Sequence, residues 1–278
     1  MIPPFARRFL AGETAEEAIE HARDLESRDV GAILNLLGEH YTDRREAAAD
    51  TQEYCELAAE IDEAGLRACL SVKPTQLGLD ISESCFRTNL EHVVDAARKH
   101  DVFLWVDMED HDTTEATLSA FEDHVTEYER MGVCVQANLK RTAADLERLA
   151  DLPGKVRLVK GAYNPPEAVA YQSSERIDEE TAECLRYMFE HFEDGIAVGS
   201  HDPELVTLAA DLHETYGTPY EIQFLMGVRT GATYDLADHH EMWQYAPYGR
   251  KWPSYFYRRI TERTENVTFV LRALNPFA

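Results

Sequence analysis

The chain has very little lysine for its size and charge. Its 278 residues include 52 acidic and 27 basic ones, a formal net charge of −25, and only six of the basic residues are lysine. A surface this negative repels nucleic-acid phosphates and anionic membranes, so we expect no nucleic-acid partner. Abundant carboxylate with scarce lysine suits a salty interior, because salt screens the self-repulsion of the folded chain. We therefore expect a salt-adapted, halophilic protein.

Long apolar runs and paired cysteines are also missing. No stretch approaches the roughly 18 consecutive apolar residues of a membrane-spanning helix, and the residues from Met1 to Leu10 lack the apolar core of a signal peptide. We expect a cytoplasmic protein, with at most peripheral contact at the inner face of the cell membrane. The five cysteines show no CxxC spacing and are predicted to be reduced packing residues. No His, Cys and carboxylate set has ligand spacing, which predicts no metal.

Short β-branched runs alternate with longer amphipathic segments, as in parallel strands joined by helices. Eight strands are predicted, namely Val30–Leu37, Leu66–Val72, Val102–Asp107, Val133–Leu139, Val156–Val159, Ile196–Gly199, Tyr220–Met226 and Met242–Ala246. Thr14 and Glu17 have the spacing of a capping box and predict an extra helix before the first strand. This rhythm predicts an α/β fold, a (βα)8 TIM-type barrel.

A doubly wound open sheet is the structural alternative to this barrel. Such a sheet normally has a glycine-rich GxGxxG turn after its first strand, and Asn35 to Gly38 do not supply one. No low-complexity linker divides the chain, so residues 1–278 are expected to form a single domain.

Polar residues follow nearly every predicted strand. Because the chemistry of such barrels lies at the carboxyl ends of the strands, these residues are candidates for one site. They include Lys73, Asp107, Gln136, Lys160, Ser200, His201, Gln223 and Tyr245. Lys73 and Lys160 stand out in a chain poor in lysine, although either alone is also explained by a structural ion pair or a snorkelling side chain.

A pair of adjacent arginines lies near the end of the chain. Arg258, Arg259 and Glu262 are neighbours on a predicted last helix. Two adjacent guanidinium groups repel each other unless an anion lies between them, and their planar shape suits a carboxylate or phosphate. A solvated face of arginine and glutamate, continued by Arg263 and Glu265, explains the spacing equally well.

Five short strings occur in order along the chain and form a known pattern. They are Ser71–Gly78, Val106–Glu109, Arg157–Tyr163, Tyr245–Gly249 and Tyr257–Glu262. Together they resemble the proline dehydrogenase family, and the match runs from Phe9 to the end of the chain. The resemblance implies a monofunctional, FAD-dependent enzyme, haloarchaeal-like in its acidity, whose last helix covers the barrel mouth.

The resemblance also implies roles for individual residues. Arg258 and Arg259 would bind the substrate carboxylate, and the rest of the substrate site would be Lys73, Tyr163, Leu225, Tyr245 and Glu262. Asp107, paired with Lys73, and Arg157 would be catalytic. FAD would contact Met108, Gln136, Arg141, Arg157, Val159, Lys160, Gly161, Ser200, His201 and Gln223. Met226, Asn164 and Arg263 depart from the residues that are frequent in the family.

The implied reaction is a hydride transfer from carbon 5 of L-proline to N5 of the flavin. It yields Δ1-pyrroline-5-carboxylate, the first step of proline degradation to glutamate, and passes the electrons to a quinone-type acceptor. Three alternatives stay open. One is a Schiff-base aldolase with Lys160 as nucleophile and Asp107 as proton shuttle; the others are a flavin barrel related to methylenetetrahydrofolate reductase and a barrel that only binds amino acids.

Overall fold

The computed structural model of the chain describes residues 6–253. In that range helices and strands alternate strictly after a 3-10 turn at Arg7–Phe9. Their bounds in chain order are α1 Ala15–Glu26, β1 Val30–Leu36, α2 Arg44–Ala64, β2 Ala68–Val72, α3 Glu83–Lys99, β3 Leu104–Val106, α4 Thr114–Val125, β4 Met131–Gln136, α5 Thr142–Leu149, β5 Lys155–Val159, α6 Ser174–His191, β6 Ile196–Val198, α7 Pro203–Tyr216, β7 Tyr220–Leu225, α8 Thr230–Ala237 and β8 Met242–Tyr248.

The eight strands form a closed parallel barrel in chain order. The barrel closes where β8 pairs with β1, from Val30 opposite Met242 to Leu36 opposite Tyr248. The predicted (βα)8 class and the extra helix before β1 are therefore confirmed. The predicted functional last helix lies outside the described residues.

The predicted strand ends differ most in β4, which was expected at Val133–Leu139 and runs over Met131–Gln136. It ends early because the backbone turns after Gln136, whose carbonyl oxygen accepts a hydrogen bond from Leu139 N–H at 3.1 Å. This turn places Asn138 in a loop beside the barrel mouth instead of in the strand.

The capping box predicted for α1 is shifted by one residue. The Thr14 hydroxyl accepts from Glu17 N–H at 3.4 Å, as the sequence predicts, whereas the Glu17 carboxylate accepts from Glu13 N–H at 2.6 Å and not from Thr14. The first bond satisfies a backbone donor in the first turn of the helix and the second holds the residue just before the cap, so the helix start is fixed as expected.

The helices of the described chain are amphipathic. α2 is 21 residues long and buries one stripe that includes Tyr54, Leu57 and Ile61.

Within residues 6–253 no helix is both long and apolar enough to cross a membrane. The five cysteines form no disulfide in the described chain; four of them are buried as packing residues and Cys55 is partly buried.

Two tryptophans fill the interior of the barrel because two glycines leave room for them. A Cβ on Gly31 would lie 2.4 Å from the Trp243 ring, and a Cβ on Gly132 would lie 2.4 Å from the Trp105 ring. Trp105 is almost fully buried and packs with the inward-facing cluster around Ile33. The interior is therefore a packed core, as in other barrels of this kind.

We predict that Gly132→Ala lowers the free energy of unfolding by about 1 to 3 kcal/mol, because a rigid buried ring cannot move away from the added methyl group. Gly231→Ala is the matched control. Gly231 lies in α8 with nothing within 4 Å of its added Cβ, so alanine should stabilise by roughly 0.5 to 1 kcal/mol. Urea unfolding of the three proteins measures both effects, and equal midpoints for Gly132→Ala and the parent chain would contradict the first.

Candidate active site

Asp107 is the centre of a buried polar cluster at the carboxyl end of β3. Its Oδ1 accepts from Ser71 Oγ at 2.8 Å and from the Arg157 guanidinium at 3.0 Å, and its Oδ2 accepts from Tyr245 OH at 2.6 Å. These partners come from β2, β5 and β8, so one carboxylate joins strands on different sides of the barrel. Burial and the Asp107 charge raise the pKa of Tyr245 well above its ordinary value.

The structure pairs Asp107 with Arg157 where the sequence predicted a pairing with Lys73. Lys73 follows the end of β2, and its Nζ lies 3.1 Å from the Glu39 carboxylate in the loop after β1. Glu39 was not predicted as a site residue. Glu39 is one of 52 acidic residues in the chain, and it belongs to no motif that would distinguish it from the others.

Arg157 is a charged group held inside the barrel. Its guanidinium carbon lies 4.4 Å from the centre of the Trp105 ring and 5.6 Å from that of Tyr245. Burial alone would lower its pKa, but the Asp107 carboxylate, together with smaller contributions from neighbouring groups, offsets this and raises the pKa overall. The Arg157 side chain therefore stays cationic at the bottom of the site.

Glu109 and Gln136 tie together the loops that surround this cluster. The fully buried Glu109 carboxylate accepts from the N–H and the hydroxyl of Thr75, both at 2.8 Å. The Gln136 amide donates to the Glu109 carbonyl and accepts from Ala162 N–H, again at 2.8 Å each. Burial raises the pKa of Glu109, against the opposing effects of Lys73 and Thr75. Glu109 lies in a string that carries the family resemblance, but its site position was not predicted.

The loop after β5 has an unusual backbone. Gly161, Tyr163 and Asn164 have φ values of 129°, 64° and 42°, a region that side chains rarely adopt. A Cβ on Gly161 would lie only 2.1 Å from Asn138 Oδ1. Glycine is therefore required at position 161, where the loops after β4 and β5 meet. Tyr163 lies in the same loop and has a strained backbone conformation of its own.

Lys160 is engaged by carboxylates on both sides. Its Nζ lies 2.6 Å from Asp202 and also pairs with Asp178. Burial lowers its pKa, but the two aspartates raise the pKa overall. A lysine that forms a Schiff base needs a lowered pKa, so this environment argues against the aldolase alternative.

His201 and Leu225 connect the mouth ends of β6 and β7. The Leu225 N–H donates to His201 Nε2 at 2.8 Å, which makes this nitrogen the unprotonated one of the neutral imidazole. Arg229 donates to the His201 carbonyl at 2.6 Å, and Ser200 is buried beside it. The predicted pair Ser200 and His201 therefore lies at the mouth.

The Gln223 side chain is oriented by an ion pair that lies nearer the amino-terminal end of the barrel. A cavity of about 1060 Å³ opens at the amino-terminal end of the barrel, and Lys155 pairs there with Glu221. The Gln223 amide nitrogen donates to Glu221 at 2.6 Å. Because a carboxylate only accepts, the Gln223 Oε1 must point away from Glu221.

The other predicted site residues have these positions. Met108 is buried and Val159 partly buried at the mouth ends of β3 and β5. Arg141 lies at the start of α5 and forms ion pairs with Asp145 at 2.8 Å and Glu115 at 2.7 Å. The guanidinium group that was predicted to contact the cofactor is therefore bound to two carboxylates. Arg258, Arg259 and Glu262 lie outside the described residues, as does Arg263.

Buried polar atoms without a partner show what the site can hold. Within the described chain, Asn138 Oδ1, Arg157 Nε and Gln223 Oε1 are buried and make no hydrogen bond. An unsatisfied buried group costs about 1 to 3 kcal/mol. One donor and two acceptors, on β5, on β7 and in the loop after β4, fit a ligand edge that carries both kinds of group, as a flavin ring does.

A closed parallel barrel with an arginine–aspartate cluster at the carboxyl ends of its strands is the architecture of a TIM-barrel enzyme. The chain matches the sequence model of the family described as proline dehydrogenase over residues 18–272. It is 35% identical over 273 residues to proline dehydrogenase 1 of Bacillus subtilis (strain 168), which covers 97% of this chain and 90% of that protein. The chain belongs to the proline dehydrogenase family, and it is an enzyme that oxidises proline.

One further relative agrees in sequence, and one solved structure agrees in fold. The proline dehydrogenase of Deinococcus radiodurans is 31% identical over 280 residues, 97% of this chain and 89% of that protein. The crystal structure of proline utilization A from Bdellovibrio bacteriovorus, inactivated by N-propargylglycine, has the same fold, with a TM-score of 0.83 at 23% identity. That match covers 92% of this chain but only 32% of the other, so the chain spans about a third of its length.

We predict that Asp107→Asn lowers the free energy of unfolding by about 3 to 5 kcal/mol, because it leaves the Arg157 charge buried without a counter-charge. Ser71→Ala is the control, since it removes one hydrogen bond to the same carboxylate and should lose only about 1 kcal/mol. Denaturant unfolding gives both values.

Kinetics of the same variant separate a positioning role of Asp107 from a role as base. We expect the rate and the affinity for proline to fall together, because Tyr245 and Arg157 lose their common partner. Loss of only the acidic limb of the pH–rate profile, with the affinity intact, would instead identify Asp107 as the base, because a base acts only when it is deprotonated.

Proposed function

We propose that this chain is an FAD-dependent dehydrogenase that converts L-proline to Δ1-pyrroline-5-carboxylate. The chemistry that bound FAD would supply is acceptance of the hydride that leaves carbon 5 of proline. The observation that carries the proposal is the cluster of Asp107, Arg157 and Tyr245 at the barrel mouth, beside unpaired polar atoms that suit a flavin. We assign a catalytic role to Arg157, and to Asp107 the role of positioning Arg157 and Tyr245.

The substrate side of the site would be built around the proline carboxylate. Arg258 and Arg259 would hold that carboxylate, with Glu262 holding the arginines. The ring would lie among Lys73, Tyr163, Leu225 and Tyr245. The hydrogen bond from Tyr245 OH to Asp107 supports this assignment, because it fixes the tyrosine ring in one orientation.

The ring nitrogen of proline must be neutral before carbon 5 can lose a hydride. A secondary ammonium is largely protonated at neutral pH. Two guanidinium groups beside the carboxylate would lower the pKa of the ammonium by repulsion while they hold the anion. Asp107, whose charge is already paired with Arg157, would not reverse this effect.

The cofactor side would use residues of β4 to β7. Arg157 Nε and Gln223 Oε1 supply an unpaired donor and an unpaired acceptor, and the cationic Arg157 would stabilise negative charge on the reduced ring. Met108, Val159, Lys160, Gly161, Ser200 and His201 would form the rest of the contact surface. Gln136 would act mainly by holding the Ala162 backbone in place, and Arg141 would have to leave its carboxylate partners to reach the cofactor.

Electrons would pass from the reduced cofactor to a quinone-type acceptor, with the cytoplasmic chain approaching the membrane peripherally. We also propose that residues 1–278 form a single domain and that the acidic surface requires high salt. The net charge of −25 supports the salt requirement.

Proline should bleach the visible absorption of the purified protein. We expect yellow protein when it is prepared in molar potassium chloride, and loss of the flavin bands when L-proline is added without oxygen or another acceptor. An anaerobic visible spectrum before and after proline is the measurement. A colourless protein that fails to bind added FAD would contradict the proposed cofactor, and borohydride trapping of a carbonyl substrate would then test Lys160.

Arg258→Met should raise the KM for proline on the order of a hundredfold, because hydrogen bonds to a charged group contribute about 3 kcal/mol. The flavin spectrum should stay unchanged, since the arginine is assigned to the substrate. Steady-state kinetics over a range of proline concentrations measures the effect. The control is Arg263→Met, a nearby arginine without an assigned role, and an equal rise in KM for both variants would contradict the assignment.

A further inference from the structure

A buried ion pair crosses the interior of the barrel on the amino-terminal side of the polar cluster. Lys155, the first residue of β5, pairs with the Glu221 carboxylate on β7, and only 2% of Glu221 is exposed. The strand between them, β6, has Ala197 opposite Glu221, and this small residue leaves space for the pair. Burial lowers the pKa of Lys155, but Glu221 and neighbouring groups raise it overall. The lysine therefore stays cationic inside the barrel.

The second oxygen of the Glu221 carboxylate binds Gln223. The two residues are two positions apart on one strand, so both side chains lie on the inner face. Gln223 Nε2 donates to Glu221 Oε1 at 2.6 Å, while Lys155 pairs with Oε2. An amide has a donor end and an acceptor end, whereas a carboxylate beside a lysine only accepts. The nitrogen of the Gln223 amide is therefore held on the Glu221 side, and its oxygen lies at the other end.

The oxygen of this amide is a buried acceptor in need of a donor. Gln223 is only 4% exposed, and its Oε1 makes no hydrogen bond within the described chain. Arg157 Nε is a buried donor without a partner on β5. With the amide turned over, the site would offer two donors, and a ligand edge with both kinds of group would fit poorly. The orientation of one amide thus decides which ligand groups the site can accept.

We propose that Lys155 and Glu221 are positioning residues that hold the Gln223 amide with its oxygen towards the cofactor. The Lys155 relay, formed by Lys155, Glu221 and Gln223, begins at the cavity at the amino-terminal end of the barrel and ends on the cofactor side of the site. It supplies one acceptor for a hydrogen bond from FAD. The proposal rests on the proposed FAD dependence and on the cofactor contact assigned to Gln223.

Equilibrium dialysis of the full chain against FAD measures the Kd without turnover. We expect Gln223→Leu to raise the Kd about tenfold, the effect of losing one neutral hydrogen bond. Glu221→Gln should come close to this value, because an amide at position 221 can donate to the Gln223 oxygen and lets the Gln223 amide turn over. Lys155→Met should raise the Kd about three- to tenfold, because it removes the cation that keeps Glu221 an acceptor.

A double-mutant cycle shows whether Lys155 acts through Gln223. The double variant of Lys155→Met and Gln223→Leu should bind FAD no more weakly than Gln223→Leu alone, because the lysine then has no amide to orient. The visible spectrum of the bound flavin should also change in the same way in the two single variants, since both alter the same contact. A lysine that only stabilises the fold would produce neither result.

Two further variants serve as controls. Lys155→Arg keeps a cation beside Glu221, and the cavity leaves room for the larger group, so most of the affinity for FAD should return. Lys99→Met removes a charge from the exposed end of α3, at the same end of the barrel, and should leave the Kd unchanged. Thermal unfolding of every variant shows whether the fold has changed. If Glu221→Gln fails to fold, the cycle between positions 155 and 223 still decides.

Several results would overturn the proposal, and they differ in what else they remove. If Gln223→Leu raises the Kd but Lys155→Met and Glu221→Gln do not, the relay fails and the cofactor contact of Gln223 stands. Additive losses in the cycle show that Lys155 acts by another route. An unchanged Kd for Gln223→Leu removes the contact and the relay with it. If the parent chain itself binds no FAD, the proposed function fails as well.

Discussion

The pairing of β8 with β1 is the constraint on which the rest of the molecule depends. It joins the two most distant strands of the chain over a register that runs from Val30 opposite Met242 to Leu36 opposite Tyr248. Closure brings Tyr245 within hydrogen-bonding distance of Asp107 on β3 and brings Lys251 onto Tyr41. An open sheet of the same strands would leave these groups on opposite edges, so the polar cluster exists only because the barrel is closed.

The mouth also shows how a very acidic chain keeps cations in its interior. Arg157 pairs with Asp107, Lys73 with Glu39, and Lys160 with Asp178 and Asp202. Removing a charge from water is costly, and each of these cations recovers part of that cost from a nearby carboxylate. Five of the six lysines lie beside a specific carboxylate or aromatic ring, as Lys251 does, whereas Lys99 is exposed at the end of α3.

The fold was largely predictable from the sequence, whereas the partners within the site were not. Periodicity located all eight strands because each is a short apolar run between amphipathic helices. The predicted bounds differ most for β4, which begins at Met131 and ends at Gln136, where the backbone turns. Strand ends likewise placed Lys73, Asp107 and Lys160 at the mouth. The pairing of Asp107 with Arg157, and of Lys73 with Glu39, depends on side-chain reach across a closed barrel. Spacing along the chain contains no information on that distance.

The packed interior of the barrel has a consequence for the order of events in a catalytic cycle. Trp105 and Trp243, accommodated by Gly132 and Gly31, occupy the space between the cavity at the amino-terminal end and the polar cluster at the mouth. Small molecules cannot pass along the barrel axis through such a core. Proline and its oxidation product must therefore both use the mouth end of the barrel, and the product has to leave before the next proline can enter.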